Sequence, residues 1–187
     1  PIDVLRQSPG VIAVIEDLKK KGSIRTWGIS LRSPADGEIA VREFGAPVIQ
    51  VNFNLIDQRA LESGLFDLAA ERGVGVIART PFNYGFLTGK IGATAFASSD
   101  HRSRWPPEQI KRWAGAAALF APIAKRHGCS LSTLALGFCL AHPAVATTIP
   151  GILHPAEAAE NAAAGDAPEL GADEVAAIRE IYRAHEF

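Results

Sequence analysis

Two stretches of the chain could hold an anion. Thr80 to Lys90 reads Thr-Pro-Phe-Asn-Tyr-Gly-Phe-Leu-Thr-Gly-Lys. Its glycines, threonines and backbone N–H groups suit a nest that wraps a pyrophosphate. The Gly85/Gly89 pair alone is little support for that, and Lys90 reads equally as a solvated loop charge. Further on, Ile149-Pro150-Gly151 ends an apolar run and a helix begins at Pro155. A helix N-terminus there favours a phosphate. Arg79 stands just before the first stretch, and its planar guanidinium either stacks on a ring or pairs with a carboxylate at a rim. Gln50 carries an amide that both donates and accepts; its plain reading is an inward polar residue satisfied by a neighbour.

The histidines and cysteines read as structural. His127 precedes Gly128 at a helix end, where a partly charged imidazole suits the dipole. His142-Pro143 ends another helix, and His154 reads as an exposed residue in the turn after Gly151. His101 sits between Asp100 and Arg102, a pattern that locks a loop more often than it catalyses. No two His or Cys fall at metal-ligand spacing, so no metal site is expected. Cys129 and Cys139 have apolar neighbours and read as small core residues in a reducing, cytoplasmic compartment.

The elements that must position these groups alternate along the chain. Val11, Val14, Ile15 and Leu18 form the stripe of a surface helix that ends at Lys21. Ile24–Ser30 reads as a strand, Asp36–Phe44 as a helix, and Pro47–Phe53 as a second strand. Leu61–Arg72 reads as a helix, and Val74–Arg79 as a strand apolar enough to be buried on both faces. After a polar stretch from Tyr84 to Pro107 come helices over Pro107–His127 and Ser130–His142. A fourth strand, Val145–Ile149, precedes helices over Pro155–Ala164 and Ala172–His185. Such alternation implies a parallel α/β sheet, either doubly wound or a βα barrel. The Gly-x-Gly-x-x-Gly fingerprint of a dinucleotide fold and the Walker A loop are both absent from the sequence. Four strands cannot close an eight-stranded barrel, so the pattern reads as about half of one.

Composition narrows the field. At 187 residues, with 19 Lys+Arg against 20 Asp+Glu, the chain reads as one domain over residues 1–187. Near-neutral charge gives no reason to expect nucleic acid or an anionic membrane as a partner. No apolar run reaches the roughly 18–20 residues of a membrane helix. The first six residues show no secretory signal. The chain holds no Met and opens as if within a connection, so it is expected to be part of a longer polypeptide.

Several phrases resemble the aldo-keto reductase family. They are Gly22-Ser23-Ile24-Arg25-Thr26-Trp27-Gly28-Ile29-Ser30, Ile49-Gln50-Val51-Asn52-Phe53-Asn54, and the Thr80–Lys90 stretch. Asp100-His101-Arg102-Ser103-Arg104, Ala141-His142-Pro143-Ala144-Val145, Ile149-Pro150-Gly151 and Glu160-Asn161 follow in order. The resemblance covers nearly the whole chain but only the back half of the family pattern. It implies that these strands are the fifth to eighth of a (β/α)8 barrel. The family's catalytic Tyr, Lys, Asp and His lie on the first four strands, so no catalytic residue is assigned here. Neither Tyr84 nor Tyr182 matches the catalytic position.

What the resemblance implies for this chain is the cofactor side. Ser30 and Gln50 would hold a nicotinamide carboxamide, with Leu31 standing where the family often has Asn. Arg79 would lie under the nicotinamide ring. Thr80, Phe82, Gly85 and Lys90 would wrap the pyrophosphate. Ile149 and Gly151 would form the nucleotide turn, and Glu160 and Asn161 would read the adenine edge. Gly151, Leu153 and Glu157 stand where cations often grip the 2′-phosphate of NADP. The cofactor is therefore expected to be NADP or NAD, without strong preference for NADP. The implied activity is hydride transfer between nicotinamide and a small-molecule carbonyl or alcohol substrate. The alternatives are a non-catalytic or repurposed binding protein, and a lyase or dehydratase on the same scaffold. The expected partner is the N-terminal half of the barrel or a self-associating copy.

Overall fold

The computed structural model describes residues 2–92 and 96–187. Pro1, and residues 93–95 of the polar Tyr84–Pro107 stretch, lie outside the described residues. Four parallel strands form one sheet in the order β1-β2-β3-β4: β1 Ile29–Ser30, β2 Val48–Asn52, β3 Gly75–Arg79 and β4 Val145–Ile149. Ahead of β1 stand α1 (Ile2–Gln7) and α2 (Gly10–Lys20). The expected stripe of α2 is present but poorly covered: no residue of the helix is fully buried, Ile15 is half-buried, and Val11, Val14 and Leu18 are exposed.

β1 is much shorter than the expected Ile24–Ser30 strand. It is an edge with a single neighbour, and only Ile29 and Ser30 find partners, in Ile49 and Gln50. The segment before it is anchored instead by Trp27, whose indole N–H donates to Glu16 at 2.6 Å. Gly28 lies against β2: a Cβ there would meet the carbonyl oxygen of Val48 at 2.6 Å and its Cβ at 2.9 Å. Gly28→Ala must therefore push the two strands apart. A loss of about 1–3 kcal/mol is expected, of the size seen on overpacking a core, and thermal unfolding of the complete protein measures it.

α3 (Pro34–Arg42) starts where chemistry places it, with Pro34 in its first turn and the Ser33 hydroxyl accepting from the Asp36 N–H at 3.2 Å. The expected Leu61–Arg72 helix is two: α4 (Arg59–Glu62) and α5 (Leu65–Glu71). Gly64 between them has φ 77°, which breaks the helical run. α6 (Pro107–His127) and α7 (Leu131–Leu140) then lead into β4, and α8 (Pro155–Ala163) and α9 (Ala172–Ala184) follow it.

Burial alternates along the sheet. Ile49, Val51, Val76 and Ala78 are buried, while Gln50, Asn52, Ile77 and Arg79 are half-exposed. One face is thus packed under helices and the other is open. This corrects the expectation that β3 is buried on both faces: Val76 and Ala78 are buried, while Ile77 lies half-exposed on the other face because no element among the described residues packs fully over it. The packed face centres on Phe53, whose ring meets Phe66 edge-on at 4.8 Å and Phe138 at 5.2 Å. Cys139 is fully buried there, its thiol 3.2 Å from the Phe53 carbonyl and its pKa pushed up to about 12 by burial.

Candidate functional site

The carboxyl ends of the strands bring the sequence-selected side chains together. Ser30 and Gln50 are register partners, and the Gln50 amide Nε2 donates to Ser30 Oγ at 2.9 Å. Asn52 pairs in register with Arg79, and Arg79 with Ile149. Arg79 Nη2 reaches across to the Leu31 carbonyl at 2.8 Å, while its Nε is buried with no partner among the described residues. Among the described residues no carboxylate pairs with Arg79, so the rim ion pair is not formed. Amide, hydroxyl and guanidinium thus line adjacent strand ends at the open face.

Two residues that the sequence reading did not single out hold this rim. Asn54 is 1% exposed; its Nδ2 donates to the Thr80 carbonyl at 3.0 Å and its Oδ1 accepts from the Ile56 N–H at 2.9 Å. Asn52 Oδ1 accepts from the Thr80 hydroxyl at 2.9 Å. The contact to Ile56 is an Asx-type turn, a local signal present in the sequence. The contacts to Thr80 cross between strands and leave no such trace.

These contacts secure a strained turn. Thr80, Asn83 and Tyr84 have φ of 62°, 43° and 59°, uncommon for residues with a side chain. The expected pyrophosphate nest is largely self-satisfied. The N–H of Gly85 and that of Leu87 both bond the Phe82 carbonyl, and those of Thr88 and Gly89 bond Gly85 and Phe86. The Phe82 side chain is buried. Tyr84 packs among Trp105 and Trp113, with ring centroids 5.7 and 5.8 Å away. The Asp100-His101-Arg102 phrase locks its loop as expected: Arg102 Nη2 lies 2.6 Å from Asp100 Oδ2 and holds that carboxyl down to about 2.

The α8 side departs further from expectation. Glu157 Oε2 accepts from the Leu153 N–H at 2.7 Å and the His154 N–H at 3.2 Å, and these bonds, that from Leu153 foremost, lower its pKa. The donors expected to face a phosphate are therefore taken by the chain's own carboxylate. Glu160 accepts from Lys90 Nζ at 2.9 Å and from the Ser130 hydroxyl at 3.3 Å, and Lys90 is the main cause of its lowered pKa. Lys90 is thus a tie between the loop and α8 rather than a free loop charge. Asn161 Nδ2 lies 3.4 Å from the Gly151 carbonyl. Gly151 itself is open: a Cβ there would touch nothing within 4 Å. Ile149 is exposed beside it.

Known proteins resemble this chain in sequence and fold. The profile of the Aldo/keto reductase family covers residues 4–183. An uncharacterized oxidoreductase of Bacillus subtilis is 30% identical over 181 residues, 93% of this chain and 57% of that protein. An NADH-specific methylglyoxal reductase of Escherichia coli is 27% identical, over 82% of this chain and 47% of its own length. The structure of a glycerol dehydrogenase from Gluconobacter oxydans superposes with TM-score 0.72 at 26% identity, over 90% of this chain and 52% of that one. The chain spans about half the length of the relatives it matches. Its four parallel strands are about half of a (β/α)8 barrel, and the chain belongs to the aldo/keto reductase family.

Proposed function

We propose that this chain is the cofactor-holding half of an NAD(P)-dependent oxidoreductase acting on a small-molecule carbonyl or alcohol. The observation that carries the reading is the Gln50–Ser30 pair beside Arg79 on adjacent strand ends. The residues fit a nicotinamide. The Gln50 carbonyl oxygen and Ser30 oxygen leave hydrogen-bonding capacity for a carboxamide. The half-buried guanidinium, with its Nε orphaned, presents a flat surface of the kind that stacks on a ring. When bound, the dinucleotide supplies the hydride, while the protein supplies position and a proton donor. Thr80, Phe82, Gly85, Lys90, Ile149, Gly151, Glu157, Glu160 and Asn161 would border the rest of the cofactor. Because the Lys90–Glu160 pair and the Asn161–Gly151 contact are already made, binding would exchange them for contacts to the nucleotide.

The proton donor would come from the other half of the barrel, the partner that also covers the open sheet face. Unpaired Cys129 and Cys139 accord with a reducing, cytoplasmic setting. Among the described residues no helix is long and apolar enough to cross a membrane. A second reading, a binding subunit without turnover, draws support from a 28%-identical probable voltage-gated potassium channel subunit beta of Arabidopsis thaliana.

Calorimetric titration of the complete protein with NADH and NADPH tests the proposal. Binding is expected, and silence at millimolar cofactor overturns it. Turnover of simple aldehydes with bound cofactor separates the enzyme from the binding subunit. Gln50→Ala removes the amide from the half-exposed middle of β2. Cofactor affinity should fall about tenfold, the worth of one or two hydrogen bonds, while the melting temperature stays within a few degrees of the parent.

A further inference from the structure

His127, the last residue of α6, has both ring nitrogens against acceptors. Nδ1 lies 3.0 Å from each oxygen of Glu174, and Nε2 lies 3.1 Å from the Pro168 carbonyl. The imidazole is 10% exposed and the Glu174 side chain 21%. Glu174 sits in the first turn of α9, and its carboxylate also accepts from the Gly171 N–H at 2.9 Å. An ionised carboxylate and a backbone carbonyl can only accept. A neutral imidazole has one N–H, so its other nitrogen would turn a lone pair onto an oxygen. The imidazolium satisfies both contacts.

We propose that His127 is a proton-operated clamp that docks the 164–171 connection and the first turn of α9 onto the end of α6. The clamp forms one wall of a cavity of about 670 Å³ lined also by Cys129, Leu134, Leu170 and Val175. The charged and titratable groups around it are Arg126 on α6, Cys129 after it, Glu169 on the connection, and Glu174 and Arg179 on α9. α7 contributes uncharged Thr133, Leu134, Gly137 and Leu140. Arg126 and Arg179 offset the two acids, so among these groups the proton on His127 decides whether both contacts are held.

The sign follows from the two partners. The Gly171 N–H, ahead of His127, lowers the pKa of Glu174, so the carboxylate is lost only at acid pH. The clamp is complete while the ring holds both protons and Glu174 is ionised, and it loosens as rising pH removes one ring proton and leaves a contact without its hydrogen. It loosens again when Glu174 is protonated.

Hydrogen exchange of the complete protein at pH 6 and pH 8.5, corrected for intrinsic rates, tests the clamp. Backbone amides of 164–176 should exchange about tenfold faster at the higher pH relative to the middle of α6, the effect expected from losing a charge-assisted bond. His127→Gln should abolish this local pH response. Nitrogen-15 ring spectra of the unmodified protein over the same pH change give a second reading, with loss of the second His127 ring proton tracking the loss of protection. Equal protection at both pH values, a pH response retained in His127→Gln, or a ring whose protonation does not change where protection does would overturn the proposal. Should the variant not fold, the ring spectrum of the parent decides.

Discussion

Produced alone, the 187-residue chain is expected to associate or aggregate, with no stable 19.8 kDa monomer. Among the described residues the sheet has two open edges, β1 and β4, each hydrogen-bonded to a strand on one side only. Such edges recruit other chains. The sheet face carrying Ile77, Gln50 and Arg79 is uncovered. Large apolar side chains stand exposed at both ends: Val4 61% and Val14 62% near β1, Ile149 46%, Ile152 52% and Leu153 86% near β4. Burying one such side chain contributes roughly 1.5–3 kcal/mol, so covering the set is comparable to the whole stability margin of a typical domain. Ahead of β1, α2 leaves Val11, Val14 and Leu18 exposed. Co-expression with the N-terminal half should give a soluble one-to-one complex with a cooperative melt. Light scattering distinguishes this from a closed dimer of two copies. A monodisperse monomer of residues 1–187 would show that the open face is not an interface.

Reversing the charge at residue 157 should change the choice of nucleotide by on the order of a hundredfold. This rests on the proposed cofactor role. Glu157 is held on the Leu153 and His154 N–H groups by its own backbone bonds. A 2′-phosphate brought to this turn meets a fixed carboxylate instead of free donors. No cation is supplied by Gly151 or Leu153. Glu157→Arg removes the repulsion, frees two donors and offers a fork for the phosphate, a gain of a few kcal/mol. NADH has no charge there and should keep its affinity within a few-fold. The parent protein should show no strong preference for NADPH, and Glu157→Gln should fall between parent and Arg variant. The ratio of the two dissociation constants, measured by titration, is the readout. An unchanged ratio in Glu157→Arg, with NADH still bound, would place the 2′-phosphate elsewhere while leaving the cofactor reading intact.

Elements whose limits are set by local chemistry were legible in the sequence. α6 begins with prolines and ends at Gly128, a left-handed residue with φ 74°. β4 is bounded by Pro143 and Pro150 and has the expected limits. α1 was missed because six residues carry too little periodicity. β1 was overextended because an extended, apolar stretch says nothing about whether a neighbour exists to pair with it. The Gln50–Ser30 pair follows once strands are placed in register. The ties that tailor the site were not legible. Lys90 and Glu160 are 70 residues apart, and a glycine-rich loop does not reveal that its N–H groups are already bonded to its own carbonyls. Arg79 illustrates both sides: its position at a strand end was clear, but the Leu31 carbonyl as its partner was not.

The order β1-β2-β3-β4 has a kinetic meaning. Each strand hydrogen-bonds the one that follows it in sequence, across a single helical connection or a few. Folding can therefore spread unit by unit, paying only modest loop-closure entropy at each step. Were a preceding half to close the ring, as proposed, the outer edge of β4 would pair with the first strand of that half. That pairing would join the strands farthest apart in sequence at the largest entropic cost, and it is expected to form last. Substitutions along Val145–Ile149 that weaken only this seam should leave the folding rate almost unchanged and speed unfolding. Those that weaken β2 against β3 should slow folding itself. The seam would then be where such a ring opens first, and it would set the lifetime of the folded protein.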